Sequence, residues 1–247
     1  MGEPAMDKQD GWRARVGVIV PTSNTMNEVE FNRMAPDGVT FHFTRTVLHK
    51  DPGADDFKVM LDDTARAAEI LGQCKVDVIA FGCTSGSMAC PSDRLLDTMT
   101  ASGKVPAVSV AGALLAAFKA LGVTRIGMAT PYTDATNEHE KEYLEAHGIT
   151  VVAMAGLQLN YGLEGIQKIS RVAPDRIYAH AKSVDRPEAE AILICCTDFG
   201  SSVTVERLEK ELGKPVVTSN TATFWAALRA AGIKDRVPGY GRLLTEH

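Results

Sequence analysis

Apolar residues in this chain come in two patterns that alternate along its length. Residues 15–20, apolar from Val16 onward, and the run Val78-Ile79-Ala80-Phe81 have no internal polar residue, and neither does Ile192-Leu193-Ile194 much later. Such runs, with no internal polar period, predict strands buried on both faces of a parallel sheet. Residues 39–46 alternate apolar and polar, as a strand with one covered face does. Between them, Phe57, Met60, Leu61, Ala65, Ala68 and Leu71 recur at helical spacing and predict a helix over 55–73. Further helices are predicted at 24–34, 91–100 and 112–120, with a strand at 107–110. The second half repeats this order, with Pro187 ahead of its apolar run, and only 156–170 follows neither period clearly. Strand and helix in strict alternation with short connections predict an α/β fold with parallel sheets flanked by helices.

The repetition extends to the residues themselves. Val16-Gly17-Val18-Ile19-Val20-Pro21-Thr22-Ser23-Asn24 aligns without a gap on Ile126-Gly127-Met128-Ala129-Thr130-Pro131-Tyr132-Thr133-Asp134, 110 residues later. Gly38-Val39-Thr40 matches Gly148-Ile149-Thr150 at the same offset, and Cys83-Thr84 matches Cys196-Thr197 at 113. Gly103-Lys104-Val105-Pro106 resembles Gly213-Lys214-Pro215. A period this long means a tandem pair of lobes and not a solenoid, whose repeats are shorter. The first lobe is expected over 13–110 and the second over 111–220.

Composition narrows the class. With 45% hydrophobic and 23% charged residues over 247 positions, the chain reads as an ordinary globular protein with room for two modest cores. A net charge of −5 with no basic run argues against a nucleic-acid partner. No stretch approaches the length of a membrane span, and the polar first 13 residues lack a signal peptide's apolar core. Five cysteines, an odd number, without a secretion signal suggest free thiols and a cytoplasmic location.

Two of those thiols carry the chemical argument. Cys83 and Cys196 each end an apolar run and open a turn rich in hydroxyls, and the carboxyl end of a parallel strand is where α/β folds bind ligands. A buried cysteine is usually just a small hydrophobe. Duplication of the thiol together with its hydroxylated turn is what favours a two-cysteine site. The helix after each turn is expected to lower the thiol pKa. Cys195 falls on the opposite face of its strand and reads as packing, while Cys74 and Cys90 lack the context altogether. No Cys or His spacing suits a metal, and no glycine-rich phosphate loop follows any strand. Four loops converge on the inter-lobe cleft: Pro21 to Asn24, Cys83 to Ser87, Pro131 to Asp134 and Cys196 to Asp198. They contain no Arg or Lys, so they suit a small carboxylate held by neutral donors.

These residues resemble the aspartate/glutamate racemase superfamily, and the opening Val16 to Thr25 resembles its maleate cis–trans isomerase and arylmalonate decarboxylase branch. The likeness runs from about Arg15 to Leu228. It implies a pseudo-twofold pair of lobes, a site between them, no cofactor, and a last segment (221–247) returning to the first lobe. Amino-acid racemases of the superfamily place a carboxylate in the first loop, where this chain has Pro21-Thr22-Ser23-Asn24. Arylmalonate decarboxylases have glycine where this chain has Cys83. The isomerases keep both cysteines, with an Asn and a Tyr at the positions of Asn24 and Tyr132.

The resemblance therefore implies a cis–trans isomerase of a small unsaturated dicarboxylate, maleate to fumarate, by thiolate addition. It makes Cys83 and Cys196 catalytic, with Asn24, Thr84, Ser85, Tyr132, Asn160 and Thr197 around the substrate. An amino-acid or hydantoin-type racemase using the thiols as an acid/base pair is the alternative, with Asp198 as its amine anchor. A decarboxylase or a non-catalytic carboxylate binder ranks below both. The base rate for oligomers makes a homodimer or higher homo-oligomer the default expectation.

Overall fold

The computed structural model of the chain describes residues 8–47, 54–90, 92–159 and 162–247. In the first half, β1 (Ala14–Pro21), α1 (Asn27–Met34), β2 (Val39–Thr46), α2 (Ala54–Gln73) and β3 (Val78–Phe81) follow in order. Then come α3 (Thr84–Ala89), α4 (Ser92–Gly103), β4 (Ala107–Ser109) and α5 (Val110–Leu121). The second half runs β5 (Arg125–Thr130), α6 (Asp134–Ala146), β6 (Thr150–Gly156), α7 (Gly162–Ile169), α8 (Pro174–Ser183) and β7 (Ala191–Ile194). A 3₁₀ turn at Ser202–Thr204 precedes α9 (Val205–Leu212), β8 (Val216–Thr218), α10 (Ser219–Ala230) and α11 (Arg242–Glu246).

All pairings are parallel, and the two sheets have the same order, β2-β1-β3-β4 and β6-β5-β7-β8. In each, the first strand lies between the second and third, so the chain reverses direction across the sheet there. The crevice at the carboxyl ends of those two central strands is the topological switch point.

Alternation sorts each strand's side chains onto two covered faces. Val16, Val18 and Val20 pack with Phe31 of α1 and with Phe224, Ala227 and Leu228 of α10. Ile19, Ile79 and Phe81 face the other way, onto Ala68 and Leu71 of α2 and Leu95 and Met99 of α4. In the second sheet Met128, Leu193 and Cys195 pack with Leu114 and Phe118 of α5. Ile192, Ile194 and Cys196 meet Ile177 of α8 and Leu208 of α9. The helix that follows each sheet thus covers the other one: α5 leaves β4 for the second sheet, and α10 leaves β8 for the first. Phe224 seals the exchange, with its ring 5.5 Å from Phe31 and 5.3 Å from Phe41.

The elements depart from the sequence expectation in two places near the switch point. The helix expected from 24 begins at Asn27, and the Asn24 side chain holds the turn before it by accepting the N–H groups of Met26 and Asn27 at 3.1 and 3.0 Å. The turn after Cys83 is itself a short helix, α3. Its Thr-Ser-Gly-Ser opening has poor intrinsic propensity, so burial of Thr84, Ser87 and Met88 accounts for it. Among the described residues no helix is long and apolar enough to cross a membrane.

Candidate active site

Strand ends from both sheets meet at one point, and hydrogen bonds fix how they meet. The Thr197 hydroxyl donates to the Gly82 carbonyl at 2.9 Å, which joins the residue after Cys196 to the residue before Cys83. Asn24 donates through Nδ2 to Thr197 Oγ1 at 3.0 Å. The Thr84 hydroxyl donates to Ser219 Oγ at 3.0 Å, and the Cys196 N–H donates to the same oxygen at 3.0 Å. Ser219 opens α10 and so touches both cysteine turns. These bonds bring together Cys83, Cys196, Asn24, Thr84 and Thr197. They also occupy the Thr84 and Thr197 hydroxyl protons and one Asn24 amide proton, so these side chains fasten the turns in this state. Asn160 lies outside the described residues.

The two thiols differ in surroundings. Cys83 precedes α3 with extended backbone (φ −137°, ψ 116°) and is partly exposed. It lines a small cavity with Pro21, Thr46, Met60, Phe81 and Ser85. Burial pushes its pKa up, opposed by hydrogen bonds from the Gly86 N–H and the Ser85 side chain. Ser85 Oγ is 4.0 Å from the sulfur. Cys196 is buried, and its φ of +125° is a left-handed conformation that L-residues avoid. Such strain at a non-glycine residue persists only where the surroundings impose it, and it concentrates at functional sites. Burial also drives the Cys196 thiol upward, and the nearby Asp198 carboxylate drives it further. The Tyr132 hydroxyl and the Asp198 N–H, both hydrogen-bonded to the sulfur, oppose that.

The sequence argument expected lowered thiol pKa values, and here the shift is reversed. The helix after Cys83 has only six residues and the one after Cys196 is a single 3₁₀ turn, so the dipole at each thiol is small and desolvation wins. Cys196 carries the additional penalty of a carboxylate two residues away. Cys83 has none on its own turn, which makes it the thiol more readily ionised.

Two residues of the site, Arg45 and Glu30, were not visible in the sequence, whereas Asp198 was. Arg45, which β2 pairs beside Val20, donates to the Asn24 carbonyl at 2.6 Å and brings a cation to the edge of the first loop. Only the strand register could have revealed it. Asp198 accepts the N–H groups of Thr25 and Met26 on Oδ1 at 2.8 and 3.2 Å, and burial raises its pKa to about 6. Through Oδ1 that carboxylate fastens the Cys196 turn to the start of α1, while its buried Oδ2 has no partner among the described residues. Buried Glu30 accepts the Ser202 N–H at 2.7 Å and Asn220 Nδ2 at 2.5 Å, a further tie between the halves.

Beneath the site lies a second buried acid, Glu140 of α6. Cys195 donates its thiol proton to Glu140 Oε2 at 3.1 Å, and Oε1 has no partner among the described residues. Burial raises this carboxyl from 4.5 to about 8. Folding therefore takes up a proton at Glu140 between those two values. Its contribution to stability is full below the unfolded value and is lost as pH rises through about 8. At about 1.4 kcal/mol per pKa unit, the loss amounts to at most about 5 kcal/mol. Urea unfolding of the wild type is expected to weaken between pH 5 and pH 8.5, and Glu140→Gln to flatten that slope. Equal slopes for the two proteins would mean that Glu140 is charged in the fold.

Comparison with known proteins gives a consistent picture. A family model described as arylmalonate decarboxylase matches residues 16–244. The maleate isomerase of Alcaligenes faecalis is 28% identical, over 94% of this chain and 96% of that protein. A crystal structure of a cysteine-to-alanine variant of the maleate isomerase from Pseudomonas putida S16 with maleate superposes with a TM-score of 0.83 at 28% identity, covering 94% of this chain and 97% of that one. The Nocardia farcinica maleate cis–trans isomerase, as a cysteine-to-serine mutant with a covalently bound succinylcysteine intermediate, gives 0.84 at 27% identity, covering 95% and 99%.

Proposed function

The chain belongs to the arylmalonate decarboxylase family, and from that premise we propose that it is a cofactor-independent cis–trans isomerase converting maleate to fumarate. The observation that carries this reading is a cysteine at position 83 whose turn is bonded directly, Gly82 to Thr197, to the turn of Cys196. Arylmalonate decarboxylases have glycine there. The succinylcysteine of the Nocardia relative supports covalent addition of a cysteine to the four-carbon dicarboxylate.

Cys83 is the nucleophile. Its thiolate, held by the Gly86 N–H and the Ser85 hydroxyl, adds to one alkene carbon of maleate. The new S–C bond forms as the π pair moves onto the other carbon and into its carboxylate, giving an enediolate. The former double bond is now single and rotates. The pair then returns, the trans alkene forms and the thiolate leaves, so no proton is gained or lost overall. Developing charge on the enediolate needs donors already in position. The remaining Asn24 amide proton is one such donor, and Tyr132 is the other once its hydroxyl turns from the Cys196 sulfur to the intermediate. Cys196 stays a thiol under the influence of Asp198 and faces the intermediate.

A two-thiol racemase would instead remove one α-proton and deliver another that exchanges with solvent. Maleate converted in D₂O is therefore expected to give fumarate largely free of carbon-bound deuterium, with none washed into recovered maleate. L-Aspartate and L-glutamate are expected to gain no α-deuterium. Proton NMR reads both. Rapid α-deuteration of an amino acid with maleate left inert would replace the isomerase by a racemase. The absence of a carboxylate in Pro21-Thr22-Ser23-Asn24 favours the isomerase.

A further inference from the structure

The addition–rotation mechanism leaves a buried acid and a buried thiol unused. Glu140 and Cys195 are both fully enclosed, and their hydrogen bond is the far end of a chain that starts at the site. Thr84 Oγ1 donates to Ser219 Oγ at 3.0 Å, Ser219 Oγ donates to Cys195 Sγ at 3.9 Å, and Cys195 Sγ donates to Glu140 Oε2 at 3.1 Å. Each hydroxyl or thiol has one proton to give, so the donors all run one way. A chain of this kind has to end on an acceptor, and the carboxyl oxygen is that acceptor. With its proton directed to Cys195, Ser219 Oγ keeps its lone pairs for the Cys196 N–H and the Thr84 hydroxyl. That N–H belongs to the residue held at φ +125°.

We propose that Glu140 is a positioning residue: through Cys195 and Ser219 it holds the left-handed Cys196 turn and ties it to the start of the helix that follows Cys83. The proposal rests on the two-thiol reading of the site. A second observation supports it. The acid at the matching repeat position, Glu30, is satisfied on both oxygens by Ser202 and Asn220. Glu140 has no such partners, since the residue two past the cap of α5, matching Asn220 in α10, is Ala111. An apolar side chain of similar size would fill the space at no desolvation cost, so packing alone gives no reason for an acid. The charge also reaches the chemistry. If ionised, Glu140 would raise Cys83, Cys195, Cys196 and Tyr132 together. Its own raised value, about 8, keeps the carboxyl mostly neutral at pH 7.

The test turns on one atom. Cys195→Ala and Cys195→Ser delete the same sulfur and leave side chains of similar size, but only serine keeps a donor and an acceptor in the chain. Two quantities are read on the full chain: kcat and KM for maleate, and the rate at which iodoacetamide alkylates Cys196, followed by mass spectrometry. Cys195→Ala is expected to lower kcat about tenfold or more, with KM nearly unchanged, as misplacement of a reacting group does. It is also expected to speed Cys196 alkylation as the turn loosens. Cys195→Ser is expected to stay close to wild type on both. Glu140→Leu should behave like the alanine variant without melting earlier, while Glu140→Gln, which retains an acceptor oxygen, should behave like the serine variant. Should Cys195→Ala fail to fold, the Leu/Gln contrast at 140 carries the same test. Alanine and serine variants that match each other, whether active or impaired, would overturn the positioning role and leave packing. Absence of maleate turnover in the wild type would count against the isomerase reading alone, because the alkylation contrast needs no substrate.

Discussion

Cys83→Ala and Cys196→Ala are each expected to abolish maleate isomerisation while leaving the fold intact. For Cys83 the reason is stoichiometric: without the sulfur there is no S–C bond, the alkene stays a double bond, and rotation retains its uncatalysed barrier. Loss of a covalent nucleophile typically costs about 10⁴-fold or more in kcat. For Cys196 the expectation rests on its hydrogen bond from Tyr132 and its strained turn, a conformation costing about 1–3 kcal/mol that has no structural benefit of its own. Removing one sulfur from either position deletes little buried apolar volume, so thermal melting should stay within a few degrees of wild type. The controls are the other thiols. Cys74 is exposed just past the end of α2, and its thiol donates to the Ile70 carbonyl of that helix at 3.6 Å. Cys90 packs among Ile79, Leu95 and Met99, buried in the core between the first sheet and its helices. Alanine at 74 or 90 should leave most of the activity. A Cys196→Ala enzyme with wild-type turnover would dismantle the two-cysteine site.

What the sequence made legible is what periodicity and duplication encode. Uniformly apolar runs at 78–81 and 192–194 announced buried parallel strands, and the repeated Cys-Thr turn marked the strand ends that meet between the sheets. Both statements depend only on local pattern, and both survive because the strand ends were placed by a symmetric topology. Residues that act through long-range contacts were not legible. Glu140 looks like any polar residue in a surface helix. Its burial follows from α6 lying against the second sheet, and although the opposite facing of Cys195 was legible, its bond to Glu140 was not. Arg45 entered through the β1–β2 register. The thiol pKa values went opposite to expectation for a related reason. The dipole of a following helix can be inferred from sequence, whereas desolvation depends on everything that covers the site.

Tyr132→Phe is expected to lower kcat/KM by about 10²–10³, the usual loss for a donor to a developing oxyanion. The substitution removes one oxygen and nothing else. The ring stays among Ala129, Phe199 and Cys196 in the core of the second half, and the backbone of Tyr132 keeps its bonds to Thr130 Oγ1 and to the Gln158 N–H. Lost hydrogen bonding to the thiol costs about 1 kcal/mol of stability, so melting should barely move. Burial raises the phenol well above its ordinary value, so it remains a proton donor at any pH at which the protein is assayed. A phenol that stabilises the enediolate acts in the transition state, so kcat should fall and KM should not. A phenol that only orients Cys196 would leave its trace elsewhere, in an upward shift of the pH at which that thiol is alkylated, because Tyr132 favours the thiolate form. Steady-state kinetics with maleate and alkylation across pH 7–10 separate the two. A loss of less than a few-fold in kcat/KM, with an unshifted alkylation profile, would reduce Tyr132 to one more aromatic ring in the core.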